Sequence, residues 1–157
     1  MKKEVLSIYV ENKANVLTRV VSLYGRRGFS IDSLTVSATN NPEISRITIT
    51  FVGDSLTLNQ IVAQTEKLEV VKSVKTLKSK RSFFRELLMI KVAADVEKRR
   101  EITEIVNIYR AKIINLTKKD MVIELTGNPD KLNAFMEMMN DYEILDICRT
   151  GITGIEK

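Results

Sequence analysis

The sequence predicts an α+β protein in which one element order, βαββαβ, occurs twice. Three observations carry this. Segments with two-residue apolar alternation, such as Ile47, Ile49 and Phe51 against Arg46, Thr48 and Thr50, read as half-buried strands. Segments with three- and four-residue spacing, such as Val16, Leu17, Val20, Val21 and Tyr24, read as one face of a helix. Both halves of the chain run these segments in the same order, with turn chemistry between them.

In the first half, residues 4–10 alternate as a strand, and residues 11–15 form a polar loop. The helix that follows ends at Gly28, after Arg26 and Arg27, which suit the negative end of its dipole. Residues 29–38 are a strand, 39–43 a turn and 44–52 a second strand. Gly53-Asp54-Ser55 opens a helix with the stripe Leu58, Ile61, Val62, Thr65 and Leu68, and residues 70–77 close the half as a strand. The polar, basic stretch 79–83 reads as a linker.

The second half repeats the order. Residues 84–94 are a strand, and 97–110 a helix with the stripe Ile102, Ile105, Val106 and Tyr109. Residues 111–117 and 121–126 are strands joined by Lys118-Lys119-Asp120. Asn128-Pro129 is a helix start, an N-cap followed by proline at the first helical position. The stripe Leu132, Phe135, Met136 and Met139 follows, and residues 142–149 are the last strand. The order is that of the ferredoxin-like motif, an antiparallel sheet with both helices on one face. The expected organisation is a first module over 1–78, the linker 79–83 and a second module over 84–157. Modules this small leave open edges and a bare sheet face that need a partner.

Composition narrows the function. The 157 residues are 44% apolar and 29% charged, as in an ordinary globular protein. No apolar run reaches the roughly 20 residues of a membrane helix, and the alternating N-terminus is unlike a signal peptide, so a cytoplasmic location is expected. Without histidine, the common general base and the common metal ligand are both missing. The lone Cys148, within Ile144-Leu145-Asp146-Ile147-Cys148, is expected to be a buried structural thiol. No nucleophile–base pair or metal cluster is visible, so neither catalytic nor metal-binding residues are expected. The net charge of +5 permits nucleic-acid binding. However, strands 4–10 and 44–52 carry one aromatic each, unlike the stacking strands of RNA-binding modules. The basic cluster Lys75, Lys78, Lys80, Arg81 and Arg85 and the pair Ser45-Arg46 read as solvated surface.

The candidate site is the passage from strand end to helix start, Val10-Glu11-Asn12-Lys13-Ala14-Asn15-Val16-Leu17. The first amide groups of a helix lack internal acceptors and sit at the positive end of its dipole, so a carboxylate can dock there. Asn12 and Asn15 offer amides, and Val16 and Leu17 offer apolar contact to a small aliphatic group. Spacing alone favours the alternative, in which Asn15 caps the helix and Asn12 shapes the turn.

At these residues the sequence resembles ACT domains, amino-acid-sensing βαββαβ modules. More narrowly, it resembles the small regulatory subunits of acetohydroxyacid synthase (acetolactate synthase) over nearly its whole length. The matching motifs in the first half are Glu11-Asn12 with Val16-Leu17-Thr18-Arg19-Val20, the run Arg27-Gly28-Phe29-Ser30-Ile31-Asp32-Ser33-Leu34-Thr35-Val36, and Pro42-Glu43-Ile44-Ser45-Arg46-Ile47-Thr48-Ile49. In the second half they are Arg85-Glu86-Leu87-Leu88-Met89-Ile90-Lys91-Val92, Tyr109-Arg110-Ala111-Lys112-Ile113-Ile114, Lys131-Leu132-Asn133-Ala134-Phe135 and Arg149-Thr150-Gly151.

The resemblance implies a subunit with no active site and no cofactor of its own. Its partner would be a catalytic large subunit holding thiamine diphosphate, FAD and magnesium, which joins two 2-oxoacids with loss of carbon dioxide in branched-chain amino-acid biosynthesis. The chain would activate that subunit, dimerise through its first modules and confer feedback by valine or a related end product. The implied effector site comprises Asn12, Lys13, Ala14, Asn15, Val16 and Leu17, with Ser30 and Ile31 as its other half. The family usually has glycine where this chain has Asn15 and asparagine where it has Ser30, so weakened or altered valine feedback is expected. The first module and the exposed face of residues 56–68 are the expected docking surface, with the second module tuning the response. A free-standing amino-acid sensor without an enzyme partner is the alternative.

Overall fold

The structure, a computed structural model, describes residues 2–157. In the first half the elements are β1 (Lys2–Glu11), α1 (Val16–Arg26), β2 (Ser33–Ala38), β3 (Ile44–Gly53), α2 (Ser55–Glu66) and β4 (Val71–Thr76). The strands form an antiparallel sheet in the order β2-β3-β1-β4. Its register pairs Leu6 with Ile49 and Ile8 with Ile47, so every second residue of the two central strands points to one face. There they meet Val16, Val20 and Tyr24 of α1 and Ile61 of α2, all buried. Alternation in the strands and helical spacing in α1 thus converge on one core, as the ferredoxin-like order requires.

The second half has β5 (Ser82–Ala93), α3 (Val96–Tyr109), β6 (Lys112–Leu116), β7 (Asp120–Gly127), α4 (Pro129–Met139) and β8 (Ile144–Arg149). Its strand order is β6-β7-β5-β8, equivalent to that of the first half. Leu88, Ile90 and Val92 pack with Ile102, Val106, Leu132, Phe135 and Met139, and Tyr109 meets Phe135 edge-on with centroids 5.4 Å apart. The chain is therefore an α+β protein of two ferredoxin-like modules.

Where helices begin, short polar side chains cap them. Asp54, Asp95 and Asn128 each accept a bond from the amide three residues on, at 2.8, 2.9 and 2.8 Å. The Asp54 carboxyl is held below its ordinary range, chiefly by that bond to Thr57. Gly28 lies at φ 69°, the left-handed position that ends α1.

Several expectations need correction. The stretch expected as a linker is ordered: Ser79–Arg81 is a 3₁₀ turn and β5 begins at Ser82. A further strand, β9 (Thr153–Glu156), pairs with β5. The compact units also differ from the expected boundaries: one ends at Phe83 but takes in Gly151–Lys157, and the other is Phe84–Thr150. Cys148 is exposed. The edge strand β8 is exposed along most of its length, with Leu145 48% and Ile147 45% exposed, so its apolar run does not bury Cys148. Ser45 is buried, and Arg46 donates to Ser7 Oγ at 2.8 Å with its guanidinium 5.2 Å from the Tyr9 ring centre. These are packed positions, because β3 is a central strand. Nor is the outer face of the first sheet bare: Ser7, Thr48 and Thr50 are fully buried there.

Candidate functional site

The loop after β1 is held by its backbone. The amide of Glu11 donates to Val70 O at 2.9 Å, that of Asn12 to Glu43 O at 2.7 Å, and that of Lys13 to Glu11 O at 3.0 Å. The Asn12 side chain donates from Nδ2 to Pro42 O at 2.9 Å, tying the loop to the β2–β3 turn. Asn12 therefore shapes the loop, as one of its two readings had it.

Asn15 does not cap. It sits at φ 66°, ψ 1°, in the left-handed region, and its side chain makes no capping bond. Its carbonyl accepts from Arg19 N at 3.1 Å, closing the first turn. The first turn of α1 has no acidic residue, whereas those of α3 and α4 contain Glu97 and Asp130. No side-chain cap and no carboxylate of its own first turn thus offsets the positive end of α1, and the nearest carboxylates come from other elements, Glu11 and Glu69, which line a cavity with Ala14, Val16 and Arg19. The residues beside it divide by role: Val16 is 4% exposed and part of the core, while Leu17 is 40% exposed. Asn15 also lines an open depression with Thr18, Arg19, Ser22, Arg26 and Leu68.

Electrostatics around the loop centre on Glu11, which lies in the candidate passage but outside the expected effector residues. Lys72 Nζ on β4 donates to one carboxylate oxygen at 2.7 Å, and Lys13 Nζ lies 2.9 Å from the other. These bonds, first Lys72 and then Lys13, lower the Glu11 pKa from 4.5 to about 2. Lys13 is raised in turn, mainly by Glu11. The three groups line a cleft of about 350 Å³ with Asn12, Pro42, Glu43 and Ile44. Local sequence offered Glu11 and Lys13 as neighbours, but only the pairing of β1 with β4 brings in Lys72.

Asn12, Lys13, Ala14, Asn15, Val16 and Leu17 lie together. Ser30, exposed, and Ile31, half-buried, do not join them. They lie in the loop beyond the far end of α1, whose eleven residues span about 15 Å. The sheet agrees: Glu11 pairs with Ile44 at one end of β3, while Asp32 N bonds Thr50 O near the other. Within one chain the two expected halves are too far apart to touch one small molecule. Among the described residues there is no cluster of three His, Cys, Asp or Glu placed to hold a metal ion. No helix among them is long and apolar enough to cross a membrane.

Comparison with known proteins covers both units. Residues 6–73 match the family described as AHAS small subunit-like ACT domain, and residues 85–157 match the family described as small subunit of acetolactate synthase. A probable acetolactate synthase small subunit of Archaeoglobus fulgidus is 43% identical over 150 residues, 95% of this chain and 93% of that protein. The acetolactate synthase small subunit of Mycolicibacterium smegmatis is 40% identical over 152 residues, 97% of this chain and 89% of its relative. Among solved structures, the acetolactate synthase small subunit of Thermotoga maritima superposes with a TM-score of 0.92 at 35% identity, covering 100% of this chain and 98% of that one.

Proposed function

The chain belongs to the family of acetolactate synthase small subunits, and from that premise we propose that it is a non-catalytic regulatory subunit. In this reading it binds and activates a catalytic large subunit that carries thiamine diphosphate, FAD and magnesium. It makes that enzyme responsive to valine or a related branched-chain amino acid.

The observation that carries the reading is the left-handed Asn15 at the start of α1, which no side chain caps, within a chain that the family matches over residues 6–73 and 85–157. The α-carboxylate of the effector docks on the open amides of α1, where the dipole favours a negative charge. Leu17, 40% exposed, meets its side chain.

Ser30 and Ile31 complete this site only if a second copy supplies them, since α1 separates them from Asn15 by about 15 Å. A homodimer of first units is therefore part of the proposal. Its apolar surface comes from Leu17 and Val21 on α1 and Val36 on the edge strand β2, all exposed. Asn15 keeps the left-handed backbone but adds a side chain beside the effector, and Ser30 is short. Valine sensitivity is therefore weak or shifted in selectivity. Leu56 on α2, 65% exposed, marks the face offered to the catalytic subunit.

The test is co-purification with the catalytic subunit from the same genome, measuring acetolactate formation with and without this chain and with valine, leucine or isoleucine added. A rate increase on adding the chain is expected. An unchanged rate together with failure to co-purify overturns the reading.

A further inference from the structure

The last seven residues, whose strand β9 pairs with β5, also touch both edge strands of the first sheet. On the edge strand β2, Thr35 Oγ1 donates to Ile152 O at 3.4 Å, and Gly151 packs against Ser33. On the opposite edge strand β4, Lys75 Nζ bonds Glu156 Oε2 at 3.2 Å. The sheet order β2-β3-β1-β4 puts three strand spacings, about 14 Å, between these anchors. The four residue steps from Ile152 to Glu156, extended, cover about 13 Å, long enough for the crossing once the Lys75 and Glu156 side chains add their reach. Ile152 is 2% exposed, so this is a seated segment rather than a loose tail. The end is tied down as well: Lys157 N donates to Arg81 O at 2.9 Å, and its Nζ bonds Lys80 O at 3.2 Å.

The residues just before the crossing are held within the second unit. Thr150 N donates to Leu87 O at 3.0 Å, and Leu87 N donates to Thr150 Oγ1 at 3.1 Å. Arg149 is bonded to Glu86 and to Asn133. One residue later, Gly151 sits at φ 83°, where a Cβ would lie 2.5 Å from Ser33 Cβ. Only a glycine passes there.

We propose that residues 151–157 form a strap that braces the two edge strands of the first sheet.

The test is amide hydrogen exchange on the full chain. Gly151→Ala unseats the strap, and exchange in β2 and β4 rises about tenfold while α3 and α4 keep their protection. Adding Ser33→Gly removes the obstructing Cβ and returns part of the protection, relative to Ser33→Gly alone. Thr35→Val, a milder change, raises exchange at the β2 edge in the same direction. Parent-like exchange in β2 and β4 of both Gly151→Ala and Thr35→Val overturns the brace.

Discussion

Lys72, one residue into β4, donates a 2.7 Å hydrogen bond to Glu11, the last residue of β1, and so fixes the sheet end from which the candidate loop departs. The Glu11 pKa is lowered to about 2, so its contribution to stability is present above the ordinary 4.5 and is lost as pH falls toward 2. Lys72→Ala should raise the Glu11 midpoint in a carbon NMR titration toward 4.5, and Lys13→Ala should raise it less. The difference in urea midpoint between parent and Lys72→Ala should shrink as pH drops from 6 to near 2. A Glu11 midpoint unmoved by Lys72→Ala would show that the bond does not persist in solution.

Asn15 holds a left-handed backbone that most side chains resist, at about 1–2 kcal/mol. Asn15→Ala should lose about 1 kcal/mol in denaturant unfolding, whereas Asn15→Gly should be near neutral. If the proposed effector site is right, calorimetry should also show tighter valine binding to Asn15→Gly, since the side chain beside the ligand is gone. Weaker binding would place the ligand elsewhere or give Asn15 a direct contact with it.

Tyr24 and Thr65 join α1 to α2 through a buried bond of 3.1 Å. Thr65 Oγ1 already donates to Ile61 O at 2.7 Å, so the Tyr24 hydroxyl is the donor. Burial raises the Tyr24 pKa, and the bond to Thr65 only partly opposes it. Tyr24→Phe keeps the ring and should cost about 1 kcal/mol, the usual worth of one hydrogen bond. Ultraviolet titration should find one tyrosine fewer among those ionising late.

In the second unit Glu86 is 4% exposed and paired with Arg149, which also bonds Asn133 at 2.8 Å. Arg149→Met strands a buried carboxylate and should cost about 3 kcal/mol, while Arg149→Met with Glu86→Leu should recover much of the loss. A double variant as unstable as the single one would mean that the ion pair is not the cause.

Element type and order were legible because each depends on local repetition. Ile47, Ile49 and Phe51 alternate, Val16, Val20 and Tyr24 recur at helical spacing, and Asn128-Pro129 announces its helix. The family resemblance was legible as well, from ordered motifs that the comparisons bear out over both units. Cys148 was misread because an apolar run does not show whether its strand is central or at an edge; the sheet order places β8 at an edge, where Leu145 and Ile147 are exposed as well. The order within 79–83 and the strand β9 were hidden because both depend on partners far along the chain.

What the sequence alone determined is thus the pair of βαββαβ modules, the family and the loop that carries the candidate site. Only the tertiary structure decided that Asn15 is left-handed and uncapped, and that Lys72 closes on Glu11. It also placed Ser30 beyond reach of Asn15 within one chain, and returned residues 151–157 to the first unit. The physical reason is range: propensity and periodicity act over a few residues, whereas these contacts arise from strand register and crossings between residues dozens of positions apart.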